Sequence, residues 1–137
     1  MKLKRTWIIL AALTVLPLMQ ACSSADTTSS VELVLPKDGA EVSRAVNVVM
    51  AAHGMKVHKA GELIEGTGHH HLIVDGAFIP KGEVVPKDET HKHYGKGQSE
   101  TVLNLTPGDH TLTLQFADGH HQSYGKAMSQ TIKLHVK

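Results

Sequence analysis

The sequence of 137 residues holds one cysteine, Cys22, so no disulfide can form within the chain. A fold built from it must rest on its own apolar core, and residues 31–137 suffice for a single one. Aromatic residues are scarce: two Phe, two Tyr and a lone Trp, Trp7. An excess of either charge is also missing, since 14 Lys and Arg face 13 Asp and Glu in an interspersed order. That balance argues against nucleic acid or an anionic membrane surface as partner. Catalytic signatures are missing too. There is no Gly-x-Ser-x-Gly elbow, no phosphate loop of the Walker type and no His-Glu-x-x-His helix, and Gly95-Lys96-Gly97 reads as a turn before a strand. The expectation is a binding or interaction protein, not an enzyme.

The N-terminus carries a processing signal. Lys2, Lys4 and Arg5 precede the apolar run 7–18, which falls short of the roughly 20 residues that span a bilayer. The run exits through Leu18-Met19-Gln20-Ala21-Cys22. A charged front, a short apolar stretch and a small-residue exit form a secretory signal, and Ala21 before the sole Cys resembles the lipobox of bacterial lipoproteins. Residues 1–21 are therefore expected to be a lipoprotein signal peptide, with Cys22 the lipid attachment and 22–30 a polar tether. Two or more acyl chains anchor firmly where one holds only marginally. The expected location is the cell envelope, on the periplasmic side of a membrane. Ser23 and Ser24 after the Cys favour the outer membrane, by analogy with lipoprotein sorting in Gram-negative bacteria.

Beyond the tether the apolar residues fall into short runs separated by Gly, Pro and Asp, the pattern of strands and turns. Strands are predicted over 31–35, 46–53, 69–75, 99–105, 110–117 and 129–136, with a short piece at Phe78-Ile79 extending the sheet. Pro36-Lys37-Asp38-Gly39 and Thr106-Pro107-Gly108-Asp109 read as turns. Leu112, Leu114 and Phe116 alternate with Thr111, Thr113 and Gln115, and Ile132, Leu134 and Val136 repeat the pattern. No stretch shows a helical period. Six to seven short antiparallel strands in one domain, 31–137, predict an all-β immunoglobulin-like sandwich.

What the sequence does have is histidine, 11 of them. If the strands alternate between the two poles of a sandwich, all but His110 and His135 arrive at one pole, each group at an independent strand end. Neutral imidazole suits copper and zinc. His69 and His71, two apart on a strand, share a face, and His91 and His93 repeat the spacing. Two such pairs supply the four nitrogens of a tetrahedral site. Metal ligands are therefore expected at His69, His71, His91 and His93, with His121 as a further candidate. Asp118, Asp75, Glu62 and Glu65 would orient the rings, and Met55 and Met128 would add thioethers. His70 should point inward with Leu72 and Val74, while His53 and His58 are expected on the surface. His110 and His135 read as packed or hydrogen-bonding residues. The leading function is a lipid-anchored binder of copper or zinc. The alternative is an envelope interaction or scaffold domain whose histidines are structural or respond to pH.

Three segments carry a family resemblance: Gly68-His69-His70-His71-Leu72-Ile73-Val74-Asp75, then His91-Lys92-His93-Tyr94-Gly95-Lys96-Gly97-Gln98, then Pro107-Gly108-Asp109-His110-Thr111-Leu112. Together they resemble a family of bacterial exported proteins catalogued as a domain of unknown function, number 4399, over roughly 31–137. The resemblance implies a compact β-domain and supplies no activity. It implies a His shortly after the Asp that follows the 110–117 strand, a place that His121 fills. A Pro-His-like element of that family stands here as Ser123-Tyr124, neither of which is an imidazole.

Overall fold

The computed structural model describes residues 28–137. The expected signal peptide, residues 1–21, and Cys22 lie outside the described residues. Nine strands follow in order: β1 Ser30–Leu35, β2 Ala40–Val42, β3 Ala45–His53, β4 Lys56–Val57, β5 Thr67–Val74, β6 His91–His93, β7 Glu100–Asn104, β8 Gly108–Ala117 and β9 Ser129–Val136. Among the described residues the only helical piece is one 3-10 turn, Lys126–Met128.

Two sheets form. The smaller has the order β1-β3-β7 and the larger β2-β9-β8-β5-β4, with β6 also paired to β5. Alternation decides which side chains meet between them. Val31, Leu33, Val46, Val48, Met50 and Leu103 come from the small sheet, facing Leu72, Leu112, Leu114, Phe116, Ile132 and Leu134 of the large one, in one core. The all-β, two-sheet expectation holds. The six long runs appear within a residue or two of their predicted bounds. Three short strands, β2, β4 and β6, bring the count to nine, and β2–β9 and β4–β5 pair in parallel, so the sheets are not antiparallel throughout.

The predicted strand at Phe78-Ile79 is instead part of a strap that crosses the outer face of the large sheet. The Ile79 amide donates to Gln115 Oε1 at 3.0 Å, and Gln115 Nε2 donates to the Gly125 and Met128 carbonyls at 3.2 Å each. The Ser123 hydroxyl donates to the Ile79 carbonyl at 2.7 Å. Gln115 is therefore fully buried yet satisfied on both ends of its amide, as a buried polar group must be. Because the strap roofs one face while the core fills the other, β5 is buried on both sides. Its run Thr-Gly-His-His-His-Leu-Ile is enclosed from end to end. Gly68 is needed there, since a Cβ would overlap the Ala117 carbonyl and the Phe116 ring.

Candidate metal centre

The histidine-rich segment of β5 divides by strand alternation. His70 faces the core, its ring 5.1 Å from that of Phe116, as predicted. His69 and His71 face outward under the strap side, and both are as buried as His70, at 0–2% exposure. The β5–β6 register sets His93 opposite His71. The ring centroids of His69, His71 and His93 lie 4.7–5.0 Å apart. The His121 ring lies beside them and makes a quartet of imidazoles, 4.7 Å from His93, 5.0 Å from His69 and 6.0 Å from His71. Three of these residues, His69, His71 and His93, hold one nitrogen each within 4.8 Å of the others, a group able to hold a metal ion.

The nitrogens pair closely. His69 and His71 bring their Nε2 atoms to 3.0 Å, and His93 and His121 bring theirs to 3.1 Å. In a tetrahedral site with metal–nitrogen bonds of about 2.0–2.1 Å, neighbouring ligand nitrogens stand roughly 3.3–3.4 Å apart. The quartet is thus within a few tenths of an ångström of that edge along two sides.

Local chemistry explains why the loop residues arrive. His121 has a positive φ of 68°, uncommon for a residue with a Cβ. It is held there by Asp118, whose Oδ1 accepts the amides of His120 at 2.8 Å and Gln122 at 2.9 Å. The strap adds the Val85 amide on the His121 carbonyl at 2.9 Å. Two glycines leave the necessary space. A Cβ at Gly95 would overlap the His93 ring at Cε1 and Nε2, and one at Gly119 would overlap the Glu62 backbone. Residues 60 and 61 then stitch the two loops together, Ala60 N–H to the Gly95 carbonyl and Gly61 N–H to the Gly119 carbonyl, both 2.8 Å.

The electrostatics favour uncharged rings. Burial brings His71 down to about 2, with repulsion from His69, His93 and His121 adding to it. Burial first, then His93 and His121, brings His69 to about 4, against a smaller opposing pull from Asp118. Burial alone brings His70 to about 4. His93 is lowered by burial, then by His121 and Lys87. Neutral imidazole is the form that binds metal. The outer nitrogens, Nδ1 of His69 and His71, have no hydrogen-bond partner, and neither ring nitrogen of His70 has one. The buried half of the quartet therefore lacks the carboxylate or carbonyl that commonly steadies a ligating ring from behind.

His91 is not brought to the group: it stands opposite Ile73, two rungs from the His71–His93 pair, and its Nδ1 lies 2.8 Å from Asp88 Oδ1. In place of the predicted pair of His91 and His93, the structure pairs His93 with His121. Asp75 does not back the quartet; it bonds His110 at 2.8 Å and the Thr111 amide at 2.9 Å. Glu62 and Glu65 are exposed. The thioethers do not flank the site either. Met128 is buried in the core and Met55 packs against it, which leaves an all-nitrogen donor set. His53 pairs with Glu32 at 3.3 Å, and His58 Nδ1 lies 3.0 Å from the Lys59 carbonyl. Asp88 was not among the predicted residues, though Asp88-Glu89-Thr90-His91 is a side-chain-capped turn pattern that marks it. Gly95 and Gly119 carry no signal beyond their type.

No curated protein and no solved structure matches the chain. A family model does, over residues 48–137, a span that contains all four members of the quartet. By that match the chain belongs to the family described as Domain of unknown function (DUF4399).

Proposed function

We propose that this protein is a transition-metal binder of the bacterial cell envelope, taking copper or zinc through His69, His71, His93 and His121. On this reading it carries, buffers or senses the ion. It does no chemistry on a substrate, and it is tethered to the membrane through a lipid on Cys22. The observation that carries the reading is the convergence of four imidazoles from three separate elements onto one point, two of them buried and held uncharged. Placing rings of such low proton affinity against one another has a stability cost that a bound cation would offset.

One observation favours a second reading. The Nε2 atoms of His69 and His71 can satisfy one another, one donating and one accepting, at 3.0 Å. A structural cluster in an envelope interaction domain would use that bond and need no ion. The two readings part in a titration. The chain with Cys22→Ser, which removes its one thiol, is titrated calorimetrically with Cu(II) and with Zn(II) at pH 7.5. Saturable binding near one equivalent, lost in His71→Ala and in His93→Ala, supports the metal reading. If neither ion binds better than about 10 μM, or roughly 7 kcal/mol, the interaction domain is the better account. Cu(II) is expected to bind more tightly at any nitrogen site, so that preference does not name the physiological metal.

A further inference from the structure

His69 and His71 are closed off from solvent, whereas His93 is exposed. An ion must therefore enter from the His93 side. His91 and His93 also border a groove of about 530 Å³ between the edges of the two sheets, lined by Asp88 and Tyr94 and, across from them, by Thr101 and Val102 of β7. His91 and His93 sit on the same face of β6, two residues apart, or about 6.8 Å along the strand.

His91 is prepared as a ligand in a way that no member of the quartet is. Asp88 Oδ1 accepts the amides of Thr90 at 2.8 Å and His91 at 3.0 Å, and the Thr90 hydroxyl at 2.8 Å. This network fixes the carboxylate, which lies 2.8 Å from His91 Nδ1. An ionised carboxylate only accepts, so in the neutral ring the proton sits on Nδ1 and the lone pair on Nε2. That is the carboxylate–histidine arrangement that orients a metal-binding ring. Among the described residues, His91 Nε2 makes no hydrogen bond, and the side chain keeps 16% exposure.

We infer that His91, positioned by Asp88, is the entry ligand of the centre: it captures a divalent transition-metal ion beside His93, on the same face of β6, and passes it to that residue. The step is a ligand exchange without redox change. A metal–nitrogen bond to His93 forms as the bond to His91 Nε2 breaks, and the remaining quartet nitrogens close on the ion. Between neutral rings the exchange releases no net proton, since each imidazole keeps one N–H; where His93 Nε2 holds the proton shared with His121, that proton moves to Nδ1 as the metal bond forms. Lys87 and Lys92 also line the groove. Their repulsion is screened in this open, hydrated setting, and Asp88 offsets part of it.

The inference rests on the metal reading, and its test separates the two. Zn(II) is mixed in a stopped-flow instrument with the Cys22→Ser chain, with His91→Asn and Asp88→Asn added to that background, and with His53→Asn as a control. Calorimetry on the same proteins gives the affinity at equilibrium. Loading and release are both expected to slow about tenfold or more in His91→Asn, and by a smaller factor in Asp88→Asn. Affinity should stay within about twofold, and His53→Asn should behave as the parent. An unchanged loading rate in His91→Asn would overturn the inference while leaving the metal reading intact. So would a loss of affinity matching the loss of rate, which would make His91 a ligand of the final site. A parent chain that binds no Zn(II) would remove both.

Discussion

The two poles of the sandwich use the same residue in opposite ways. At one pole His69, His71, His93 and His121 face one another with no carboxylate on any ring nitrogen. At the other, His110 Nδ1 lies 2.8 Å from Asp75 and its Nε2 lies 2.9 Å from the Thr106 carbonyl, while His135 Nδ1 lies 2.6 Å from Asp109. Hydrogen bonds to Asp75 and then to Thr106 raise the proton affinity of His110. Burial and mutual repulsion lower it at His69 and His71. A histidine whose two nitrogens both meet acceptors holds a second proton more tightly and staples a turn to a strand. One whose neighbours are other imidazoles keeps its lone pair. Histidine content alone therefore marks neither a metal site nor a staple. The partner of the second nitrogen decides.

The largest test of this contrast is pH. His69, His70 and His71 bind protons more weakly when folded than when unfolded, where histidine titrates near 6.5. The unfolded chain thus takes up protons first as pH falls. Their contribution is intact above about 6.5 and is lost going down to about 4, at up to about 1.4 kcal/mol per pH unit for each ring. Three rings make that a steep loss against a total of roughly 5–15 kcal/mol. Urea unfolding of the metal-free Cys22→Ser chain should show the midpoint dropping steeply from pH 6.5 to 4.5. A flat profile would mean that the three rings are not held uncharged.

A steric test comes next. Gly119→Ala drives a methyl into the Glu62 backbone, so the 58–62 and 118–122 loops must part. Chemical denaturation should register a loss of about 1–3 kcal/mol, and metal affinity should fall with it because His121 rides on the displaced turn. A variant with full affinity would place His121 outside the centre.

At the opposite pole the sign reverses. The Asp75–His110 pair stabilises the fold fully below about pH 6.5, and its contribution fades as pH rises through the higher folded-state value of His110. Asp75→Asn should cost about 1–2 kcal/mol at pH 6 and less at pH 8.5, with metal affinity unchanged. The smallest effect belongs to His135→Gln. Its pair with Asp109 is exposed on both sides, so a change within about 0.5 kcal/mol is expected.

Much of the fold was legible because its core is written in period-two alternation, as in Leu112-Thr113-Leu114-Gln115-Phe116. The strap was not. Phe78 and Ile79 look like strand residues, yet the backbone of Ile79 bonds the side chains of Gln115 and Ser123, which no periodicity reveals. The short strands β4 and β6 escaped for the same reason, since two or three residues hold no period. Among the site residues, the spacing of His69 and His71 was informative because strand geometry alone puts them on one face. His91 and His93 share that spacing, but register decides which rung each meets, and a capped turn at Asp88 drew His91 into its own hydrogen bond. His121 was reachable through its place after Asp118, whereas the clearances at Gly95 and Gly119 exist only in three dimensions.

The most direct measurement is X-ray absorption at the zinc edge of the loaded Cys22→Ser chain. The account predicts a first shell of four nitrogens at about 2.0–2.1 Å, with the outer-shell scattering of imidazole rings, reduced by one ring in His121→Ala. A six-coordinate shell of oxygens without imidazole scattering, or a spectrum unchanged by His71→Ala, would contradict it.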